Sequence, residues 1–203
     1  MNTFSRIEKI LTSPKLFWKI YKKEAESSKK IFFSFVIPLS LIPALLYTIS
    51  WVLLGPSLDS KDYPIRMVII GFLIVLFFQL FNIFIKVCVF GIIAKSFTKE
   101  SKFDDAFKLI ANSHVPYWIG LTLFFLVSPF VGQSVYSYYS LLLLIVLICF
   151  IYQVIILFYG VPIMTGILAN RGWYIFISFL IVGLINFLLY NLLIRNNNSY
   201  FTS

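Results

Sequence analysis

The amino-acid sequence predicts an all-α integral membrane protein, a polytopic bundle of five transmembrane helices with interfacial amphipathic helices. Of the 203 residues, 60% are hydrophobic and 19% aromatic, and the mean hydropathy is +0.93. Only 12% are charged, whereas soluble domains carry about 25%. Because so few charges cannot coat a water-exposed surface, the bilayer must be the solvent for most of the chain.

Five apolar runs have the length and character of transmembrane segments. A helix needs about 20 residues to cross the hydrocarbon core, and no run alternates as a barrel strand would. Pro38 and Pro43 predict a kink in the first run, and the second run is long enough to tilt or to end in the interface. The runs cover Ile31–Leu54, Ile65–Ala94, Val115 to about Val131, Tyr139 to Tyr159, and Trp173 to Ile194.

The basic residues are unevenly divided between the two sides of the predicted bundle. Thirteen fall in the N-terminal segment and the loops 95–114 and 161–172, and three fall on the opposite side. Under the positive-inside rule, this places the N-terminus in the cytoplasm and the C-terminus outside, as five crossings allow. We divide the chain into a basic amphipathic segment at 1–30, a five-span membrane domain at 31–194 and a polar tail at 195–203.

The N-terminal segment contains a predicted helix start at Ser13-Pro14, a capping serine followed by proline at the first helical position. The apolar face of this helix consists of Leu16, Phe17, Ile20 and Tyr21. Lysines on its flanks and opposite side favour an amphipathic helix that lies on the membrane surface. The alternative is a solvated basic helix that only precedes the first span.

A second short interfacial helix is predicted in the loop 95–114. Its apolar face consists of Phe103, Phe107 and Ile110. Asp104 and Asp105 fall in its first turn, where they suit the helix dipole. We expect both basic elements to contact anionic phospholipids or partner proteins, at roughly 1 kcal/mol per well-placed Lys or Arg. The residues assigned to this contact are Lys15, Trp18, Lys19, Lys22, Lys23, Lys99, Lys102 and Lys108.

An intramembrane polar face is predicted on the second span. Gln79, Asn82 and Lys86 follow an i, i+3, i+7 spacing and so share one face. Depth-matching places Gln153 near the level of Lys86 and Asn186 near the level of Gln79. These residues either line a small polar interior or join helices by hydrogen bonds, and Lys86 has the further option of snorkelling to the interface.

Lys86 has no intramembrane counter-ion in the sequence, because no Asp or Glu falls within a predicted span. The candidate partners are Asp104, Asp105, a lipid phosphate or carbonyl dipoles. The lack of an intramembrane carboxylate relay also argues against a proton-coupled pump.

Several functional classes are disfavoured. The charges form no single basic face, which argues against nucleic-acid binding. No catalytic motif or carboxylate cluster is present, and Cys88 and Cys149 lie within apolar runs rather than in a metal-binding cluster. His114 follows Ser113 directly, a spacing unsuited to a nucleophile–base contact. We therefore expect no enzyme, no cofactor and no metal.

Three segments are similar to a known family. They are SPKLFWKIYKKEAE, FGIIAKSFTKESKFDDAFKLIANSHVPYW and YQVIILFYGVPIMTGI, the last containing the aromatic-Gly-apolar step Tyr159-Gly160-Val161. In these segments the chain resembles the Yip family of Rab-GTPase-interacting membrane proteins, in its bacterial branch. The resemblance implies five spans with a cytoplasmic N-terminus. There is no clear match to the Asp-Leu-Tyr-Gly-Pro motif of eukaryotic members, so the resemblance does not imply Rab binding.

Two functional hypotheses follow. The first is a non-enzymatic protein of the bacterial inner membrane that organises the bilayer or partner proteins through a basic cytoplasmic face. Its expected partners are other membrane proteins or further copies of the same chain. The second is a small transporter or lipid-translocating protein that uses the intramembrane polar face.

Overall fold

The structure is a computed structural model that describes residues 1–24, 26–54, 65–98, 102–127 and 135–198. Its α-helices within these residues are α1 (Thr3–Thr12), α2 (Pro14–Tyr21), α3 (Ser28–Ile31), α4 (Ile37–Leu54), α5 (Ile65–Phe97), α6 (Phe103–Ser113), α7 (Val115–Val127), α8 (Val135–Met164) and α9 (Arg171–Asn198). A π-helical turn, Phe32–Val36, joins α3 to α4.

The prediction of five transmembrane helices is confirmed. Five helical stretches are long and apolar enough to cross a membrane, namely Ser28–Ser50, Val68–Phe97, Phe103–Val127, Ser140–Met164 and Arg171–Leu189. Many large apolar side chains on α5, α8 and α9 face outwards, among them Phe77, Leu143 and Phe187, which are 60–71% exposed. A surface of this kind is suited to lipid rather than water.

The first span departs from regular α-helix just before Pro38. The turn Phe32–Val36 is π-helical, and Pro38 brings a ring that crowds the preceding turn and lacks a backbone N–H. A widened turn at such a position is a recognised way to accommodate a disturbed hydrogen-bond ladder. Pro43 lies inside α4, which continues to Leu54.

The third candidate span begins at Phe103, so the predicted start of this span at Val115 is wrong. The helix in this region exists as α6, but it packs against α5 and α8 inside the bundle. Its inner face is fully buried at Ala106, Leu109 and Ile110, and α7 follows after one residue. The polar residues around Asn112 lower the local hydropathy, and tertiary packing rather than lipid covers them. The predicted end near Val131 lies outside the described residues.

The N-terminal helices are also packed against the bundle. α2 contacts α8, and its buried face consists of Phe17, Trp18 and Tyr21. The predicted face was partly wrong, since Leu16 is 54% exposed while Trp18 is fully buried. α1 and α2 share one hydrophobic core with α5, α8 and α9. We call the end of the bundle where α1 and α2 pack, and where α5 and α8 finish, the N-terminal end.

Candidate functional site

Three polar side chains from different helices meet inside the bundle. The Lys86 Nζ on α5 lies 3.4 Å from the Nδ1 of His114, and the Gln153 Nε2 on α8 lies 3.5 Å from the same atom. Each of these residues is at most 8% exposed. The structure thus brings two of the sequence-predicted polar residues together around a histidine that had been considered only as a candidate for catalysis.

The surroundings of His114 define its hydrogen-bonding role. When Lys86 is charged, its ammonium can only donate, so the Nδ1 of His114 then accepts and the imidazole proton resides on Nε2. Nε2 has no hydrogen-bond partner among the described residues. The Trp118 ring packs edge-on at 5.1 Å between ring centroids, and the Tyr117 ring lies 5.6 Å from the Lys86 Nζ. A neutral imidazole and an aromatic face therefore partner the buried lysine.

His114 occupies the break in the third span. α6 ends at Ser113 and α7 begins at Val115. Pro116 has no backbone N–H, so the regular hydrogen-bond ladder cannot continue through this point. The Lys86 side chain therefore meets the third span at the residue that joins α6 to α7.

The candidate aspartate partners of Lys86 do not form an ion pair with it. Asp104 accepts from the Ser28 hydroxyl and pairs with Lys108, one turn further along α6. Lys86 forms no ion pair within the part of the chain that the structure describes, and neither Asp104 nor Asp105 contacts it. Its contacts among the described residues are with the His114 Nδ1 and the Tyr117 ring, neither of which was among the partners expected from the sequence.

The remaining members of the predicted polar face do not join this cluster. Gln79 is 6% exposed, and neither atom of its amide finds a hydrogen-bond partner among the described residues. Asn82 and Asn186 are half-buried and make no side-chain hydrogen bond there. The cluster of Lys86, His114 and Gln153 is therefore compact, and we refer to it as the polar cluster.

The polar cluster does not pair its histidine with the neighbouring serine. The Ser113 hydroxyl donates to the Ile110 carbonyl at 3.1 Å rather than to His114. Within the described ranges, no three His, Cys, Asp or Glu side chains are grouped closely enough to hold a metal ion.

The predicted basic contact set lies mostly at the surface of the N-terminal end. The exposed members are Lys15, Lys19, Lys22, Lys23 and Lys102. Lys22 also donates from Nζ to the Ile163 carbonyl at 2.6 Å, and Lys108 is half-buried against Asp104. Lys99 lies outside the described residues.

Trp18 does not belong to that surface, and its assignment as a contact residue needs correction. It is 0% exposed, and its indole Nε1 donates to the Ile156 carbonyl on α8 at 3.0 Å. Gly160 makes this approach possible, because a Cβ there would lie 2.6 Å from the Trp18 ring. The tryptophan therefore anchors α2 to α8 instead of reaching lipid.

Arg6 is a structural residue that the sequence analysis missed. It is 3% exposed, pairs with Glu26, and lies 5.0 Å from the centroid of the Tyr21 ring and 4.8 Å from that of Phe35. Burial raises the pKa of Tyr21 to about 12. For Glu26, burial alone would raise the pKa, but Arg6 and Lys30 outweigh it and hold that pKa below its usual 4.5. The only signal in the sequence was an arginine close to an apolar face.

Comparison with known proteins supports the family suggested by the sequence. The Yip1 domain matches residues 9–190, which include the five candidate spans, the polar cluster and α2. No curated protein and no solved structure shows significant similarity to the chain. The match does not bear out the narrower assignment to a bacterial branch. With a five-span helical architecture and a domain match over nearly its whole length, the chain belongs to the Yip1 family of multi-pass membrane proteins.

Proposed function

We propose that this protein is a non-enzymatic organiser of the bilayer or of partner proteins, acting through the lysines at the N-terminal end of the bundle. The positive-inside rule supports a cytoplasmic location for this end. The proposed membrane is the bacterial inner membrane, and the proposed lipid partners are anionic phospholipids.

The observation that carries the proposal is the rigid presentation of lysines by α2. Phe17, Trp18 and Tyr21 hold one side of this helix in the protein core, while Lys15 and Lys19 on the other side are exposed. A surface that is ordered before binding loses less conformational entropy when it binds. The charges of the N-terminal end therefore act together on an anionic membrane surface.

Lipid analysis of the purified protein tests this proposal. We expect wild-type protein extracted from a membrane of mixed lipids to retain anionic phospholipids in excess over zwitterionic ones. Replacing Lys15, Lys19, Lys23 and Lys102 with Gln should reduce that excess, whereas Arg66→Gln, an exposed charge on the first turn of α5, should not. Equal retention of both lipid classes by the wild type would contradict the proposal.

The proposed orientation has its own test. Single cysteines introduced at Lys23 and at Arg66, in a background without Cys88 and Cys149, should react with a membrane-impermeant maleimide from opposite sides of a sealed cell. Labelling of Lys23→Cys from outside the cell would contradict the proposed topology and indicate the opposite orientation.

A second candidate function is translocation of a lipid or small solute, and the polar cluster supports it. A broken span with a buried charge near the break is a feature of many transporter sites. Transbilayer movement of a fluorescent phospholipid in liposomes is the measurement, with Lys86→Met as the variant. Loss of lipid movement in the variant would favour this candidate function. If the wild type moves no more lipid than protein-free liposomes do, lipid translocation is excluded and only translocation of a small solute is left.

A further inference from the structure

An open groove lies at the N-terminal end, between the start of α2 and the last turns of α8. It has a volume of about 470 Å³ and is lined by Ser13, Pro14, Lys15, Leu16, Lys19 and Tyr159. Five of the six come from α2 and the residue before it, and Tyr159 comes from α8. The groove is thus held in place by the same α2–α8 packing that buries Trp18.

The groove is positively charged and has no acidic lining. Lys15 and Lys19 are exposed, and neither is ion-paired with a residue that the structure describes. The side chain of Ser13 caps no backbone N–H of α2, so its hydroxyl is not used by the helix. Two ammonium groups and a hydroxyl are ligands suited to a phosphate group.

An exposed apolar stripe leads along α8 to this groove. Ile148, Ile151, Ile155 and Tyr159 are spaced by three or four residues and share one helical face, and they are 58%, 51%, 39% and 37% exposed. The stripe covers about 16 Å along the helix, close to half of the hydrocarbon thickness of about 30 Å. Leu16, 54% exposed, adds apolar surface at the groove itself.

We propose that the groove and the stripe together bind one anionic phospholipid. Its phosphate is held by Lys15 and Lys19, and one acyl chain lies along Ile155 and Ile151 towards the middle of the bilayer. The charge of the groove selects an acidic headgroup, and the stripe selects an amphiphile over a free anion. This inference rests on the proposed function, because it turns a general basic surface into a defined lipid site.

Native mass spectrometry of the full chain in detergent, with added phosphatidylglycerol or phosphatidylcholine, tests the site. We expect one phosphatidylglycerol to bind in preference to phosphatidylcholine. Lys15→Gln with Lys19→Gln should weaken that binding about tenfold or more, because each lysine contributes a similar favourable contact with the anionic headgroup. The matched control is Lys23→Gln with Lys102→Gln, which removes two exposed charges outside the groove and should leave the binding within about twofold, since surface charges beyond contact distance are screened.

The apolar half of the site is tested with short-chain phosphatidylglycerol and with inorganic phosphate. Both should compete poorly with the long-chain lipid. Ile151→Ser should weaken binding of the long-chain lipid and leave the short-chain form unchanged, because Ile151 lies about 12 Å along the helix from Tyr159. Equal binding of inorganic phosphate would overturn the proposal, because the groove would then be an anion site without a lipid chain.

The two proposals fail in distinguishable ways. In one outcome, the Lys15/Lys19 double variant binds phosphatidylglycerol as well as the Lys23/Lys102 double variant does, while the fourfold variant still loses anionic lipid. This outcome would contradict the lipid site in the groove and leave the proposed basic surface supported. If the fourfold variant retains lipid as the wild type does, both proposals fall.

Discussion

The Lys86 Nζ and the His114 Nδ1 lie 3.4 Å apart, although the two residues are 28 positions apart in the chain. The imidazole offers the buried ammonium a hydrogen-bond acceptor, so no carboxylate is needed beside it. This explains how the second span can contain a buried lysine. Removing one partner leaves the other without its complement, and this asymmetry can be measured.

We predict that His114→Leu destabilises the protein by about 3 kcal/mol, because it leaves the Lys86 charge buried without its acceptor. Lys86→Met alone should be close to neutral, and Lys86→Met with His114→Leu should be less destabilised than His114→Leu alone. Unfolding in detergent supplies the three free energies of a double-mutant cycle. Strictly additive effects would show that the two side chains do not interact.

Gly160→Ala should destabilise the packing of α2 on α8 by about 2 kcal/mol, since overpacking typically costs 1–3 kcal/mol. The new Cβ would lie 2.6 Å from both the Trp18 ring and the Leu109 side chain. The matched control is Gly183→Ala in α9, where a Cβ meets no atom within 4 Å and helix propensity favours alanine. Thermal unfolding should separate the two variants, and equal melting temperatures would contradict the close approach of Trp18 to Gly160.

The burial of Trp18 predicts which tryptophans lipids can reach. Trp18 is 0% exposed and Trp173 is 65% exposed. In variants that retain one tryptophan each, with the others replaced by Phe, brominated phospholipids should quench Trp173 strongly and Trp18 weakly. Strong quenching of Trp18 would contradict its burial and would favour the membrane-surface helix, one of the two alternatives that the sequence left open.

The Arg6–Glu26 pair predicts a pH-dependent contribution to stability. Because the folded pKa of Glu26 is held below 4.5, its stabilising effect is complete above that pH and is lost as the pH falls through the lower folded value. At pH 7, Glu26→Gln should cost about 2 kcal/mol, as expected for a hydrogen bond to a charged group.

The measurement is the melting temperature of wild type and Glu26→Gln across a pH series. The difference between them should be constant above pH 4.5 and should shrink below it. A difference that persists unchanged into more acidic solution would rule out the ion pair as its source.

Some of this architecture could be predicted from the sequence because it depends on local, additive properties. The apolar runs that begin at Ile31 and Trp173 are long enough to cross a bilayer whatever their neighbours do, so five spans follow from hydropathy. The helical spacing of Gln79, Asn82 and Lys86 likewise predicts a shared face. Whether Lys86 is buried or snorkels to the interface could not be decided from the sequence.

Other features were decided only by the tertiary structure, because they depend on residues that are distant in the chain. An amphipathic helix has the same pattern whether its apolar side meets lipid or protein, so the sequence could not show that Trp18 packs against Ile156 and Gly160. The low hydropathy of residues 108–114 resembled a surface loop, yet α5 and α8 bury this segment. The partner of Lys86 was hidden for the same reason, since compensation of a buried charge is a property of the space around it and not of its neighbours in sequence.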